Sequence, residues 1–296
     1  MLENIKNTLK NFTASPKKYL GQNFLIDKNI LNKIIESANI NQKDTVLEIG
    51  PGTGVLTQEL AKNSKKVIAV EKDKLMCQIL KENLKGFNNV EVINEDILKS
   101  QFPLPTGRQA NPKDQSSPNF QMPKNYKVVA NIPYYLTSPL IRKFLETENQ
   151  PAELILMVQK EVAKRICEAP PKMSLLAVSA QFYADVKILF NVSKNSFWPV
   201  PKVDSAVIKI IPKKTKQNPE FIKTFFKIVK AGFSQPRKQL AGNLSKTLKI
   251  EKEKINSLLL QNNINPSRRA ETLSVDDWKN LTEFFILKNR GGIIIN

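Results

Sequence analysis

Between Asp44 and Thr147, short runs of β-branched residues alternate with stretches that carry apolar residues at helical spacing, and no other feature narrows the fold as much. The runs TVLEI (45–49), KVIAV (66–70), VEVIN (90–94) and YKVVANI (126–132) have the length and composition of strands. VLTQELAKN and KLMCQILKENLK, lying between them, read as amphipathic helices. Strands alternating with helices build a parallel sheet with both faces covered, because each parallel pair needs a crossover long enough to hold a helix. A further run, AELILMV (152–158), continues the series. DVKILFNV (185–192) and DSAVIKIIP (204–212) lie close together, which predicts an antiparallel pair on the sheet's edge. After Pro212 the strand signal stops, and segments 219–233, 236–248, 251–261 and 274–288 read as helices. The chain is therefore expected to be α/β, with a sheet domain over 1–212 and a small all-helical C-terminal domain over 213–296. Residues 101–125 break the rhythm: five prolines among Gly, Ser, Asn and Gln can bury little, so a surface insertion is expected there.

Composition removes whole classes of chemistry. The 296 residues contain no histidine, which excludes His-based acid–base catalysis, catalytic triads and His-ligated metal. Cys77 and Cys167 stand far apart with no CxxC spacing, so neither a zinc site nor a disulfide framework is expected. No metal cofactor is anticipated. The formal net charge of +19 favours a polyanionic partner, nucleic acid above all. No apolar run is long enough for a membrane span and the first twenty residues lack a signal-peptide core, so a cytoplasmic protein without a membrane partner is expected.

The sharpest local signal is EIGPGTGVLT (48–57), which follows a strand and opens a helix, where open α/β sheets bind ligands. Gly50, Gly52 and Gly54 allow close backbone approach and dihedrals that a Cβ forbids. A phosphate-binding loop needs Lys followed by Ser or Thr, and a dinucleotide fingerprint needs a glycine where Val55 stands. About twenty residues on, at the end of the next strand, Glu71 is placed to accept ribose hydroxyls. Asp96, after the third strand, is placed to meet an adenine amino group. A nucleoside cofactor without phosphate satisfies all three features, and S-adenosyl-L-methionine is such a cofactor.

The fourth strand ends in Asn131-Ile132-Pro133-Tyr134. An adenine amino group is a poor nucleophile because its lone pair is delocalised into the ring. If the Asn131 side-chain oxygen and a neighbouring backbone carbonyl accept its two hydrogens, the nitrogen becomes pyramidal and its lone pair can be aimed at a methyl group. Tyr134 can stack on a base taken out of its helix. A strand-ending turn would also place Asn and Pro here.

With these residues in view, the chain resembles the small-subunit ribosomal RNA adenine dimethyltransferases of the KsgA/RsmA type, from about residue 17 to 280. KKYLGQNFL (17–25), EIGPGTGVLT, NEDIL around Asp96, NIPYYLTSPL (131–140), MVQKEVAKRI (157–166), FWPVPKVDSAVIKI (197–210) and INPSRRAETLSVDDW (264–278) carry the likeness, in the family's order. The resemblance implies a Rossmann-like class I S-adenosylmethionine methyltransferase sheet and a C-terminal RNA-binding domain. By it, Asn23 and Leu25 close over the cofactor, Gly50 lies under its methionine portion with Gly52 beside it, Glu71 holds the ribose and Asp96 the adenine. Asn131 bridges cofactor and target amine, Pro133 belongs to the same catalytic set, and Phe197 clamps the flipped base opposite Tyr134. The implied activity is dimethylation of two adjacent adenosines near the 3′ end of small-subunit rRNA. The implied partner is that rRNA or the immature 30S subunit, met by a monomer. Phosphate contacts are expected from Lys17, Lys18, Arg165, Arg237, Lys238, Arg268 and Arg269. The chain departs from the family in the long 101–125 segment, in EAPPKMSLLAV (168–178) and at Pro236. A large-subunit rRNA adenine methyltransferase and a non-catalytic ribosome-assembly factor remain open as alternatives at this point.

Overall fold

The computed structural model describes residues 1–100, 122–214 and 217–290, so most of the Pro-rich stretch 101–125 lies outside the described residues. In chain order the elements are α1 (Leu2–Asn11), β1 (Phe24–Leu25), α2 (Lys28–Ala38), β2 (Thr45–Ile49), α3 (Val55–Asn63), β3 (Lys66–Glu71), α4 (Lys74–Asn83), β4 (Val90–Asn94), β5 (Lys127–Asn131) and α5 (Thr137–Leu145). They continue with β6 (Glu153–Gln159), α6 (Lys160–Cys167), α7 (Leu175–Tyr183), β7 (Ala184–Val192), β8 (Phe197–Trp198) and β9 (Ser205–Pro212). The chain ends in α8 (Pro219–Gly232), α9 (Leu240–Leu248), α10 (Lys252–Gln261) and α11 (Val275–Arg290).

Two compact units result. The first comprises Met1–Ala163 with Asp185–Pro212, and the second Lys164–Ala184 with Lys213–Asn296. The stretch that carries α7 thus belongs with the C-terminal helices, although it lies before Pro212 in the chain.

In the first unit, seven strands form one sheet in the order β4-β3-β2-β5-β6-β9-β7. β2 pairs in parallel with both β3 and β5, so the strand order reverses at β2 and leaves a crevice beyond the carboxyl ends of β2 and β5. Register decides which side chains share a face. Val46 stands opposite both Val67 and Lys127, which puts Glu48, Glu71 and Asn131 on one face. Lower on that face, Leu31 and Ile34 of α2 and Leu56 and Leu60 of α3 bury against Val46, Val67, Val129 and Ile155. Asp27 starts α2 by accepting the Asn29 and Ile30 N–H groups, and Asp73 starts α4 by accepting that of Leu75.

The runs 185–192 and 204–212 lie side by side at one end of the sheet as expected: β9 pairs antiparallel with β6, Leu154 opposite Ile210, and β7 follows it as the outermost strand at that end. The alternation in DVKILFNV suits an edge strand, whereas SAVIKIIP is mostly buried and needs a neighbour on each side.

In the second unit, α8 and α11 meet over a glycine. A Cβ on Gly232 would stand 2.4 Å from the ring of Trp278, which is fully buried. The helix expected over 236–248 begins at Leu240, whose N–H bonds the Arg268 carbonyl at 2.8 Å. Pro236 cannot supply an N–H, and the residues after it form a turn.

Candidate active site

A cleft at the carboxyl ends of β2, β3 and β5 is lined by the glycine loop, by Glu48, Glu71, Glu95 and Asp96, by Asn131 to Leu136, and by the strap Leu20–Leu25. Among the described residues four carboxyls face this cleft and Lys72 is its only lining cation. Lys72 is committed to Asp96 at 3.0 Å. Inside a chain of net charge +19, the cleft is locally acidic and suits a cationic small molecule rather than a phosphate.

Gly50 and Gly52 adopt left-handed backbone, with φ of +66° and +58°. A Cβ on Gly50 would press on Pro133 at 3.3 Å, and one on Gly52 would meet the Phe24 ring at 3.0 Å. The loop therefore packs directly on the strap and on the Asn131–Tyr134 turn, which a side chain would wedge apart.

Glu71 is buried at the tip of β3. It accepts the Gly52 N–H at 3.2 Å and the Asp73 N–H at 2.8 Å. Burial pushes its carboxyl above the usual range, although both N–H groups favour its charge. Each oxygen is aimed by one backbone donor and keeps a further lone pair for a ribose hydroxyl. Asp96 uses Oδ1 for the Leu98 N–H and Oδ2 for Lys72. Burial acts to raise its pKa, but the Lys72 contact and the Leu98 N–H outweigh it and hold the carboxyl below the usual range. An ionised acceptor thus stands where the resemblance places an adenine amine.

Asn131 ends β5 with Nδ2 donating to the Asn23 carbonyl at 3.3 Å. That bond uses the donor end of the amide and presents Oδ1 as an acceptor, so Asn23 acts through its backbone. Asn23 is itself held by donating from Nδ2 to the Gly21 carbonyl at 3.2 Å. Tyr134 shares a 2.8 Å hydrogen bond with Ser205 of β9, which pins the half-buried ring. A Cβ on Gly21 would meet Pro133 at 3.2 Å and one on Gly50 would meet it at 3.3 Å, so Pro133 stands between strap and loop. Leu25 is a buried wall residue of the same cleft.

Phe197 is 1% exposed and packs among Leu25, Val192 and Val207, and it also lines the cleft together with Tyr134. Pairing of β8 with β1 draws it in, Leu25 opposite Phe197. Lys17 is not free for phosphate: its ammonium lies 2.8 Å from Asp73. Arg268 is likewise held by Thr272, through Nε to Oγ1 at 3.0 Å, while Lys18, Arg165, Arg237 and Lys238 are exposed.

Sequence reasoning missed Glu48, Asp73, Gln22 and Ser205. Glu48 had a signal, since it is the one charge inside the apolar run TVLEI. The others contribute through partners distant in the chain.

A ribosomal RNA small subunit methyltransferase A from Dehalococcoides mccartyi is 42% identical over 95% of this chain and 92% of its own. Among solved structures, a dimethyladenosine transferase from Plasmodium falciparum superposes with a TM-score of 0.73 at 28% identity, covering 92% of this chain and all of that one. The 23S rRNA methyltransferase ErmE gives 0.68 at 25% identity, over 88% of this chain and 99% of its own. Residues 13–286 match the ribosomal RNA adenine dimethylase family, and with that match over nearly the whole length the chain belongs to this family.

Proposed function

We propose that this protein dimethylates the 6-amino group of two adjacent adenosines near the 3′ end of small-subunit rRNA, as a cytoplasmic monomer acting on the immature small subunit. S-adenosylmethionine is the methyl donor of this chemistry and supplies an electrophilic methyl on a sulfonium sulfur. The chain's own residues do the rest. Gly50 and Gly52 admit the cofactor's backbone contacts, Glu71 is aimed at its ribose and Asp96 at its adenine. Asn131 orients the target amine, and Tyr134 offers a ring fixed by Ser205 for the extruded base.

The observation that carries the reading is the Asn131 amide, whose donor end is spent on Asn23 and whose acceptor end is therefore presented beside the cofactor cleft. An acceptor there draws on the amine hydrogens and frees the nitrogen lone pair, so no base of raised pKa is required. The small-subunit substrate is favoured over the large-subunit one because the D. mccartyi relative is 42% identical, against 25% for ErmE. Among the described residues no helix is long and apolar enough to cross a membrane.

The test is transfer of labelled methyl to purified small and large subunits that lack adenine dimethylation, followed by nucleoside analysis. Dimethyladenosine in small-subunit RNA alone, lost in Asn131→Ala, is the expected result. Label in large-subunit RNA would overturn the substrate assignment. Binding without transfer would leave only an assembly role.

A further inference from the structure

Among the described residues, Tyr19 and Tyr135 are the two aromatic side chains that the fold leaves open to solvent, at 77% and 52% exposure. All other described aromatic side chains are mostly buried. Both tyrosines stand at the rim of the cofactor cleft. Tyr135 lines the cleft directly after Tyr134, and Tyr19 precedes Leu20, the first cleft residue of the strap. A Cβ on Gly21 would lie 3.9 Å from the Tyr135 ring, so strap and turn meet where the two tyrosines emerge. Lys72, half-exposed on the same rim, is within electrostatic reach of both phenols.

Their exposure is not looseness. Tyr19 sits in the tight helical turn Lys18–Leu20, closed by the Gly21 N–H on the Lys18 carbonyl at 3.0 Å. Tyr135 sits in the turn Tyr134–Leu136, between a ring pinned by Ser205 and the buried Leu136. The Leu136 N–H bonds the Pro133 carbonyl at 2.9 Å, and the Thr137 hydroxyl donates to the Tyr134 carbonyl at 3.0 Å. Both rings are thus presented on backbone that is already ordered. A single exposed ring would call for no explanation. Two on one rim, beside the exposed Lys18 and Lys72, combine what proteins use to hold single-stranded nucleic acid: rings that stack on bases and ammonium groups that meet phosphates. A target adenine must leave its stack to reach Asn131, while the nucleotide joined to it stays outside the cleft. That nucleotide lies over the rim, next to the residue that follows Tyr134.

We propose that Tyr19 and Tyr135 form a stacking platform for the base that adjoins the target, the other adenine of the modified pair. This rests on the methyl-transfer reading above and adds to it the residues that read the neighbour.

The test uses small subunits reassembled with rRNA in which one adenosine of the pair is kept as the target. The other is replaced by guanosine, which still stacks, or by an abasic nucleotide, which cannot. With the natural chain, guanosine should leave the KM for the subunit near that of the natural pair, and the abasic neighbour should raise it roughly 10–100-fold. Tyr19→Ala and Tyr135→Ala should each raise the KM for the natural pair within that range, with a smaller further response to the abasic neighbour. The phenylalanine variants, which keep the rings, should behave as the natural chain. An unchanged KM in either alanine variant, or a loss confined to kcat, overturns the platform. Weaker S-adenosylmethionine binding by calorimetry with an unchanged KM for the subunit would make the two rings a cover for the cofactor and overturn it as well. If an alanine variant does not fold, the neighbour series on the natural chain still decides. Transfer indifferent to the neighbour overturns this inference alone, whereas no transfer to any of these subunits overturns the reading on which it rests.

Discussion

Lys17 and Asp73 meet at 2.8 Å, and the Asp73 side chain is only 3% exposed. Asp73 also accepts from Gln22 Nε2 at 3.1 Å, while Gln22 Oε1 accepts the Lys17 backbone N–H at 2.8 Å. One carboxylate thus holds the strap at Gln22 and the chain just before it at Lys17. Its own N–H donates to Glu71, so strap and Glu71 share a residue. Lys17→Met keeps the side-chain stem but removes the charge. Losing one partner of a buried, hydrogen-bonded acid costs about 1–2 kcal/mol, or roughly 5–30-fold in affinity. Calorimetry should show S-adenosylmethionine binding weakened by that amount, and unchanged affinity would mean the pair does not hold the strap.

The same pair sets a pH window. Burial acts to raise the Asp73 pKa, but Lys17, Gln22 and the Leu75 N–H outweigh it and hold the carboxyl below its usual range. A depressed acid contributes stability that is present above its ordinary pKa and lost as pH falls through the depressed one. Lys17 is raised by its hydrogen bond to Asp73, so its share persists until strongly alkaline pH. The latch therefore holds across the neutral range and opens in acid. Hydrogen exchange of residues 17–25 should be slow at pH 7 and accelerate below about pH 4, beyond the intrinsic rate, near the ordinary aspartate value. Asp73→Asn, which still caps α4, should show fast exchange at both.

Much of this was legible beforehand because the period of a strand is short and its ends are marked. TVLEI, KVIAV and VEVIN became β2, β3 and β4 with boundaries shifted by at most one residue. Glu71, Asp96 and Asn131 lie at strand ends, so locating strands located them. Partnerships across the chain were not legible. Nothing local in the sequence says that Lys17 neutralises Asp73, that Ser205 fixes Tyr134, or that a two-residue pairing with β1 draws Phe197 into the core. Helix α1 escaped as well, since Ile5 and Leu9 become meaningful only against Met76 and Ile79 of α4.

Gly52→Ala separates the cleft's shape from its chemistry. The added methyl would stand 3.0 Å from the Phe24 ring, in backbone of positive φ. Strain of that kind costs about 1–2 kcal/mol. Thermal melting should fall by several degrees with the fold intact in circular dichroism. Cofactor affinity should drop further than that of Gly86→Ala, where a Cβ meets nothing within 4 Å. Equal behaviour of the two variants would show that the loop does not bear on the strap.

Tyr134 does two separable things, and two substitutions part them. The hydroxyl shares a hydrogen bond of 2.8 Å with Ser205, while the half-buried ring borders the cleft. Phenylalanine keeps the ring and loses the bond, which is worth about 0.5–1.5 kcal/mol and should appear as a modest loss of stability with methyl transfer reduced only a few-fold. Alanine removes the ring. Base stacking on an aromatic contributes about 1–3 kcal/mol, so transfer to small-subunit RNA should fall roughly 10–100-fold beyond the phenylalanine variant. Neither change reaches Glu71 or Asp96, so S-adenosylmethionine affinity should stay near that of the natural chain in both. Were alanine and phenylalanine to lose transfer equally, the hydroxyl rather than the ring would be the working group. Tyr134 would then act by anchoring the turn after Asn131 to β9.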